Sequence, residues 1–298
     1  MYVIHVFGAA TTTGHSFLNN TSLLDELNGS YQILSYSRST PGHSYVDLLS
    51  PDSFSPKFCP TDDHILISFA PLVLFAPFLS KVFKANPLFA QCLSCVCALS
   101  STSAEVKRFS FNRFDKSLSL ALLNSEQSLV ASCCEHSVHS LVIRPTMIYG
   151  NAGPYSDTNI NFLLSLLRRS PVLFLPSTAG LRQPIHCTQL SEVVATSILT
   201  LLSSYSPSKS VVFSVGGDSS ITYREMLLLL QAHSPARDAA RRCLVISLPS
   251  KLFVLLAVPL ALFSFKLFEA SLRIFADLSG FQSSSSITGN APKQFPVQ

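Results

Sequence analysis

Residues 2–14 read Tyr-Val-Ile-His-Val-Phe-Gly-Ala-Ala-Thr-Thr-Thr-Gly, an apolar run followed by glycines at positions 8 and 14. The run predicts a buried strand, and a helix is expected to begin close to Gly14. A glycine at position 8 permits a tight turn, and one at position 14 lets the helix pack closely on the strand. Backbone N–H groups at the N-terminus of such a helix can hold a pyrophosphate. Thr11 stands where a middle glycine would lie, so we expect phosphate to approach less closely or to be displaced.

The second predicted strand, residues 32–36, leads into Arg38. A glycine turn followed by a second strand is typical of a dinucleotide-binding βαβ unit, although an ordinary strand–helix turn is the alternative. In such a unit an acidic residue after the second strand binds the ribose 2′-hydroxyl, whereas an arginine suits a 2′-phosphate. Arg38 therefore favours NADP(H) over NAD(H), unless it is only a solvated turn residue. Asp47 is a candidate partner for the adenine amine.

The composition excludes several classes of protein. The chain has 298 residues, of which 47% are hydrophobic and 13% charged, with a formal net charge of +4. A chain so apolar is not disordered, and one so long needs no disulfides to build a core. The small positive charge without a basic run speaks against nucleic-acid binding. The start lacks the basic region of a signal peptide, so we expect a cytoplasmic protein whose eight cysteines are reduced thiols.

Two apolar segments raise the question of a membrane. Residues 65–80 and 252–265 are both interrupted by proline and are shorter than the roughly 20 residues that a membrane-spanning helix needs. For residues 252–265 the length favours a buried or interfacial helix, and contact with a membrane surface is the less favoured alternative. No metal site is predicted, because the cysteines of Cys92-x-x-Cys95-x-Cys97 alternate between two faces of a strand and residues 133–139 form only one cluster.

Short apolar runs alternate with helical patterns through the first half of the chain, which predicts an α/β fold with a doubly wound parallel sheet. Further strands are expected at residues 65–69, at Leu93–Leu99 and at residues 141–144, with a long helix over residues 114–133. The rhythm changes after Gly150. We therefore predict a Rossmann-type domain over residues 1–150 and a smaller substrate-binding lobe over residues 151–298, some elements of which return to the first domain. The tail after Gly280 is expected to be irregular.

Four stretches resemble the extended short-chain dehydrogenases/reductases, specifically the NAD(P)-dependent epimerases and dehydratases that act on nucleotide sugars. They are the glycine turn, the serine-rich residues 99–103, the Arg-Pro-x-x-x-Tyr-Gly segment at residues 144–150, and residues 182–186. The resemblance implies hydride transfer at a sugar carbon, with the cofactor lying over the carboxyl ends of the strands.

The resemblance also assigns roles to individual residues. Thr102 and Tyr149 are expected near the nicotinamide, and Arg182 and His186 near the substrate, where the planar guanidinium of Arg182 suits a pyrophosphate. The residues expected to bind the cofactor are Gly8, Thr11, Gly14, Arg38, Asp47, Phe69, Ala70, Pro71 and Pro145.

One departure concerns the chemistry itself. The family relies on a Tyr-x-x-x-Lys pair in which lysine lowers the tyrosine pKa so that the phenolate can move a proton. The corresponding positions hold Leu118 and Leu122, and a Tyr205–Lys209 match lies in a Ser/Pro loop where chance explains it. Lys107 is a candidate replacement, or else part of an exposed basic turn. The alternative to an enzyme is a non-catalytic dinucleotide-binding or sensor protein that has lost the pair.

Overall fold

The computed structural model describes residues 1–20, 31–38, 41–56, 58–59, 61–108, 112–203, 209–263, 268 and 271–297. Within these residues an eight-stranded sheet forms the centre of the molecule, and all of its neighbouring strands run parallel. Numbered along the whole chain, its strands are β1 (Tyr2–Phe7), β2 (Tyr31–Ser37), β3 (Ser44–Tyr45), β4 (Asp63–Ser68), β5 (Leu93–Leu99), β6 (His139–Pro145), β11 (Ser210–Gly216) and β14 (Gln282–Ser283). Their spatial order is β14-β11-β6-β5-β4-β1-β2-β3.

Helices cover both faces of this sheet, as a parallel sheet requires. The helices before residue 150 are α1 (Thr12–Asn19), α2 (Leu72–Ala85), α3 (Pro87–Gln91), α4 (Ser103–Val106) and α5 (Arg113–Glu135). Those after it are α6 (Thr158–Arg169), α7 (Cys187–Leu202), α8 (Tyr223–His233), α9 (Ser250–Phe263) and α10 (Ser284–Thr288). Helices α1 and α7 pack together on one face, and α2 and α5 pack together on the other.

Alternate residues of each central strand enter the two layers of core. In β4, Ile65 and Ile67 join the cluster beneath α1 and α7, while Leu66 joins the cluster beneath α2 and α5. In β5, Cys95 and Cys97 share the first of these faces, as their spacing predicts. Strands buried on both sides need continuous apolar runs. These layers therefore account for much of the low charge of the chain.

Three small sheets form the rest of the structure and pack around a third core cluster that includes Leu167, Leu175 and Met226. Strands β7 (Ile148–Tyr149) and β10 (Ile185–His186) are parallel, as are β8 (Val172–Pro176) and β13 (Leu244–Leu248), whereas β9 (Leu181–Arg182) and β12 (Ile221–Thr222) are antiparallel. Because β11, β14 and α7 return to the central sheet, residues after 150 help to complete it. A division of the chain at residue 150 stays a prediction.

The Rossmann-type fold class is confirmed, and two of the predicted elements need correction. The tail after Gly280 is irregular only from residue 289 to residue 297, because Gln282 and Ser283 form edge strand β14 and α10 follows it. Helix α1 ends at Asn19, and residues 21–27 of the helix predicted there lie outside the described residues. Residues 264–265 of the apolar segment, and Tyr205, also lie outside them. No helix in the described ranges is both long enough and apolar enough to cross a membrane.

Candidate functional site

The glycine turn between β1 and α1 leaves no room for side chains at its two glycines. Gly8 has φ +72°, and a Cβ there would lie 2.6 Å from the backbone nitrogen of Ala70. A Cβ at Gly14 would press against the carbonyl oxygen of Gly8. The Thr11 hydroxyl donates to the Gly8 carbonyl at 2.8 Å and accepts from the Gly14 N–H at 3.0 Å, capping α1. The Thr11 hydroxyl thus closes the turn on itself.

A first cavity of about 260 Å³ opens beside this turn, where β1, β2 and β4 end. Its lining includes six of the residues predicted to bind a cofactor, which are Gly8, Thr11, Arg38, Asp47, Ala70 and Pro71. Arg38 is exposed, and Asp47 accepts a hydrogen bond from the Leu49 N–H at 3.1 Å. Three predicted residues are absent from the described lining. Gly14 packs against the Gly8 carbonyl, Phe69 packs on Phe17 with ring centroids 5.5 Å apart, and Pro145 lines a different cavity.

A buried chain of hydrogen bonds lies behind one wall of this cavity. Tyr36 lines the cavity, and its hydroxyl is hydrogen-bonded to His5 Nδ1 at 3.0 Å. His5 Nε2 is in turn hydrogen-bonded to His64 Nδ1 at 3.0 Å. Burial, and then the neighbouring His64, lower the pKa of His5 to about 3. Both imidazoles therefore stay neutral in the folded protein near neutral pH, since burial also lowers the pKa of His64.

A second cavity, of about 640 Å³, lies where β5 and β6 end. Thr102, Lys107 and Pro145 line it, as does Arg182. The Thr102 hydroxyl has no hydrogen-bond partner among the described residues, although the side chain is 8% exposed. A hydroxyl with free hydrogen-bonding capacity at the wall of a cavity is suited to binding a polar atom of a ligand. The structure thus brings together three of the residues that the resemblance singled out, with Lys107, the candidate replacement for the missing pair.

A short chain of charges, which sequence reasoning missed, crosses this second cavity. Asp115, in the first turn of α5, accepts from the Lys107 ammonium at 3.1 Å through Oδ1 and from Arg273 Nη2 at 2.7 Å through Oδ2. All three side chains line the cavity. Lys107 is therefore neither a simple solvated turn residue nor isolated, because a carboxylate holds its ammonium at the cavity wall.

A second ionic network, formed by Glu126, Arg144 and Glu105, lies next to Ser100. Glu126 of α5 is 4% exposed and accepts from the Ser100 hydroxyl at 2.5 Å and from Arg144 Nε at 2.9 Å. Arg144 also pairs with Glu105 at 2.5 Å. The Glu126 carboxylate raises the pKa of Arg144, so the guanidinium stays charged. This bidentate pair ties α5 to the ends of β5 and β6, and so positions the residues that line the second cavity.

Tyr149 and His186, predicted for chemistry and for substrate binding, are engaged in packing and hydrogen-bond contacts within the protein. The Tyr149 hydroxyl accepts from the Val297 N–H at 3.0 Å, its ring packs on Phe295, and burial raises its pKa to about 12. His186 caps α7, with Nδ1 hydrogen-bonded to the Thr188 hydroxyl at 2.7 Å. Neither Tyr149 nor His186 is among the described residues that line the second cavity. These contacts give Tyr149 a packing role and His186 a capping role, while their expected places by the nicotinamide and by the substrate stay predictions.

Arg182 does line the second cavity, but the protein already uses much of its guanidinium. Nη2 donates to the Arg273 carbonyl at 2.7 Å, and Nη1 donates to the carbonyls of Leu181 and Ala276. Burial lowers the Arg182 pKa, and its guanidinium lies over the Tyr223 ring at 5.5 Å. These contacts hold the segment around residues 273–278 against β9. Arg182 thus shapes the cavity wall, and Arg273 is the more accessible cation there.

The two leucines predicted at the positions of a Tyr/Lys pair lie on α5, outside the described lining of the second cavity, and the loss of the pair stays a prediction. Leu118 is 41% exposed and Leu122 is 7% exposed. Gln189 donates to Asp218 at 2.9 Å and to Ser284 at 3.0 Å. It therefore fastens α10 to α7. Among the described residues, no group of three His, Cys, Asp or Glu side chains is arranged to hold a metal.

The fold is similar to the folds of solved epimerases, dehydratases and reductases. MoeE5, solved in complex with UDP-glucose and NAD, matches with a TM-score of 0.58 at 16% identity over 98% of this chain and 94% of that chain. UDP-glucuronic acid 4-epimerase from Bacillus cereus matches with a TM-score of 0.59 at 10% identity, over 99% and 95%. GDP-mannoheptose C4 reductase from Campylobacter jejuni, solved with NADP bound, matches with a TM-score of 0.58 at 10% identity, over 83% and 87%.

By sequence alone, no protein-family model matches the chain and neither does any curated protein. The structural matches nevertheless confirm the predicted resemblance to epimerases and dehydratases for the fold. Neighbours of this kind occur with either NAD or NADP, so they do not distinguish the two cofactors.

Proposed function

We propose that the protein is an NAD(P)-dependent oxidoreductase that transfers hydride to or from a carbon of a nucleotide sugar. The observation that carries the proposal is the pair of cavities at the carboxyl edge of one parallel sheet, the place where such folds bind dinucleotides. The glycine turn beside the first cavity supports a close-approaching pyrophosphate, because any side chain at Gly8 would collide with Ala70. The residues present thus fit the adenosine half of a dinucleotide.

Arg38 favours NADP(H) as the cofactor. Its exposed guanidinium stands at the rim of the first cavity and forms no ion pair with another described residue. A free guanidinium can bind a 2′-phosphate through charge-assisted hydrogen bonds. In this proposal Asp47 reaches the adenine amine, and Ala70 and Pro71 flank the ribose. Thr11 shapes the turn with its hydroxyl and offers its backbone to the phosphates.

In the second cavity, Thr102 and Lys107 carry the proton chemistry in place of a Tyr/Lys pair. When bound, the nicotinamide supplies hydride exchange with the substrate carbon. The Thr102 hydroxyl hydrogen-bonds the substrate oxygen whose proton must move. The Lys107 ammonium gives that oxygen a proton when hydride is added to the substrate carbon, and the neutral Lys107 amine takes the proton when hydride leaves. Asp115 orients the ammonium from 3.1 Å, and Pro145 closes the wall behind it. Arg273, half exposed and held by Asp115, and the outer edge of Arg182 face the substrate's negatively charged part.

The nucleotide-sugar substrate is proposed from the neighbours and from the size of the second cavity. MoeE5 was solved with UDP-glucose, and the UDP-glucuronic acid 4-epimerase with UDP-glucuronic acid and NAD. A volume of about 640 Å³ is within the range of small-molecule sites and is edged by the cations Lys107 and Arg273. We place the reaction in the cytoplasm, to which the eight free cysteines are suited.

A second candidate function is a dinucleotide-binding or sensor protein without turnover. The observation that favours it is the pair Leu118 and Leu122, which supplies no phenol or ammonium on α5. Such a protein would use the first cavity as described above, and the second cavity would bind a ligand without changing it.

The deciding experiment measures binding and turnover in one preparation. NADPH and NADH affinities are measured by nucleotide fluorescence, and NAD(P)+ and NAD(P)H are then incubated with UDP-glucose, UDP-glucuronic acid and a GDP-hexose while absorbance and product sugars are followed. Turnover of any of these supports the oxidoreductase. Binding of NADPH with no change in any sugar favours the sensor protein. Failure to bind either dinucleotide would overturn both.

A further inference from the structure

Helix α9 exposes most of an apolar surface. Of its side chains, Phe253 and Ala257, four residues apart, are buried and attach the helix to the body. The ring of Phe253 lies 5.8 Å from that of Phe275. Most of the other side chains whose exposure is described are apolar and exposed, among them Leu255 at 66% and Leu262 at 87%. The helix therefore packs on the body of the protein through a narrow stripe at Phe253 and Ala257. Its exposed leucines are not buried by any other described residue.

The apolar surface continues onto the neighbouring two-stranded sheet. Phe174 of β8 and Ile246 of β13 are register partners, and they are 48% and 39% exposed. Leu244, two residues before Ile246 and so on the same face, is 63% exposed. Helix α9 begins two residues after β13 and packs beside β8. We call the exposed set the α9–β13 surface; it consists of Phe174, Leu244, Ile246, Leu252, Leu255, Leu256, Val258 and Leu262.

The chain segment that carries most of this surface has charge of one sign. Between residues 239 and 263 the chain carries Arg241, Arg242 and Lys251 and neither aspartate nor glutamate. Arg242 and Lys251 are exposed and form no ion pair with another described residue. The preceding acidic residue, Asp238, is already paired with Arg168 at 2.7 Å. An apolar surface with unpaired cations beside it is complementary to anionic lipid headgroups above an apolar layer.

We propose that the α9–β13 surface docks the protein on an anionic membrane surface, with α9 lying in the interface. At 1.5 Å per residue, its 14 residues measure about 21 Å. That length is short of the roughly 30 Å of a bilayer core, so the helix lies along the surface. Exposed apolar patches of this kind mark sites of association. The cavities stay open to small ligands, because neither has a described lining residue on α9 or β13.

A second copy of this chain is a poorer partner for the same surface. A two-fold dimer brings identical patches together, so Arg242 and Lys251 of each copy would approach the same cations of the other. Acidic side chains that could compensate are missing from residues 239–263. Anionic lipid supplies the opposite charge.

The test is flotation of the full-length protein with vesicles of phosphatidylcholine and phosphatidylglycerol in equal parts, compared with vesicles of phosphatidylcholine alone. We expect binding to the anionic vesicles that weakens with salt. Leu255→Glu combined with Leu256→Glu should lower the partition coefficient at least about tenfold, because two exposed leucines can no longer enter the interface. Leu120→Glu on α5, at 54% exposure, is the matched control and should bind like the wild type.

A charge variant and a mass measurement complete the test. Arg242→Glu with Lys251→Glu should abolish the preference for anionic vesicles, while thermal unfolding followed by circular dichroism shows that each variant is folded. Vesicle binding that is unchanged in the leucine variant would overturn the proposal. The proposal would also be overturned if the wild type did not bind anionic vesicles. In that case analytical ultracentrifugation would show whether the wild type forms a dimer that the leucine substitutions dissociate.

Discussion

The two cavities at the carboxyl edge of the sheet differ in what builds them. The first is built from backbone, with a left-handed glycine, a capped helix start and strand ends in register. The second depends on a few side chains, and there the structure carries Thr102, Lys107 and Asp115, whereas Leu118 and Leu122 stand outside it. The comparison indicates that the glycine turn depends mainly on backbone geometry, so it constrains few side chains. Proton chemistry instead needs particular groups at particular places.

Replacing Lys107 is the sharpest way to break this comparison. In Lys107→Met the stem is kept and the ammonium is lost, so we expect kcat with a nucleotide sugar to fall at least about 100-fold, as is typical for loss of an acid/base group. NADPH affinity, measured by fluorescence titration, should change less than about threefold, because Lys107 lines only the second cavity. Lys116→Met, at an exposed position of α5, is the control and should leave both values unchanged. Turnover that survives in Lys107→Met would exclude the proposed role.

The first cavity is probed at the glycine that makes its turn. Gly8→Ala forces a Cβ into a left-handed backbone and against Ala70, so we expect the free energy of unfolding to fall by about 3 kcal/mol. Urea denaturation measures the change. Gly42→Ala is matched in backbone, at φ +90°, but has open space around it, and should cost only about 1 kcal/mol. Equal losses in the two variants would show that steric closure of the turn is not what Gly8 provides.

Sequence patterns identified the first cavity well because its signal is local. The apolar run before Gly8, the spacing to Gly14 and Arg38 at the end of the second strand all act within one βαβ unit. Gly14, Phe69 and Pro145 are the exceptions, since none of them is in the described lining of this cavity. A strand-end position alone could not place Phe69, because its ring turns away from the cavity onto Phe17.

The second cavity could not be read in the same way because its parts come from distant segments. Asp115 looks in sequence like an acidic residue that favours a helix N-terminus. Its partner Arg273 follows an apolar helix with no motif around it, so only the fold shows that they meet. Tyr149 matched a family segment, yet the C-terminal residues that bury it, Phe295 and Val297, gave no sign of doing so. Long-range packing decided each of these outcomes.

Acid should weaken the wall of the first cavity, through His5. Its pKa is about 3 in the fold and about 6.5 in an unfolded chain, so below pH 6.5 the unfolded state takes up a proton that the folded state refuses. Stability is therefore lost as pH falls from about 6.5 towards 3, by up to about 1.4 kcal/mol per pH unit. Urea denaturation across this range measures the slope.

The matched variants for this prediction are two histidine substitutions. His5→Gln should lower stability at neutral pH, because glutamine cannot form the hydrogen bonds to Tyr36 and His64 in the same geometry. It should also flatten the dependence of the unfolding free energy on pH in acid. His233→Gln removes an exposed histidine and should keep the wild-type slope. An unchanged slope in His5→Gln would assign the acid sensitivity to other groups.

Arg38 gives the smallest effect and tests how far backbone alone defines the first cavity. Its side chain is exposed, so water screens its charge, and we expect Arg38→Ala to weaken NADPH binding about tenfold. NADH binding should change less than about twofold, because NADH has no 2′-phosphate for the guanidinium to meet. Arg169→Ala, at an exposed position on α6, is the control for net charge. Equal losses of NADPH and NADH affinity would mean that Arg38 shapes the rim of the cavity and does not distinguish NADPH from NADH.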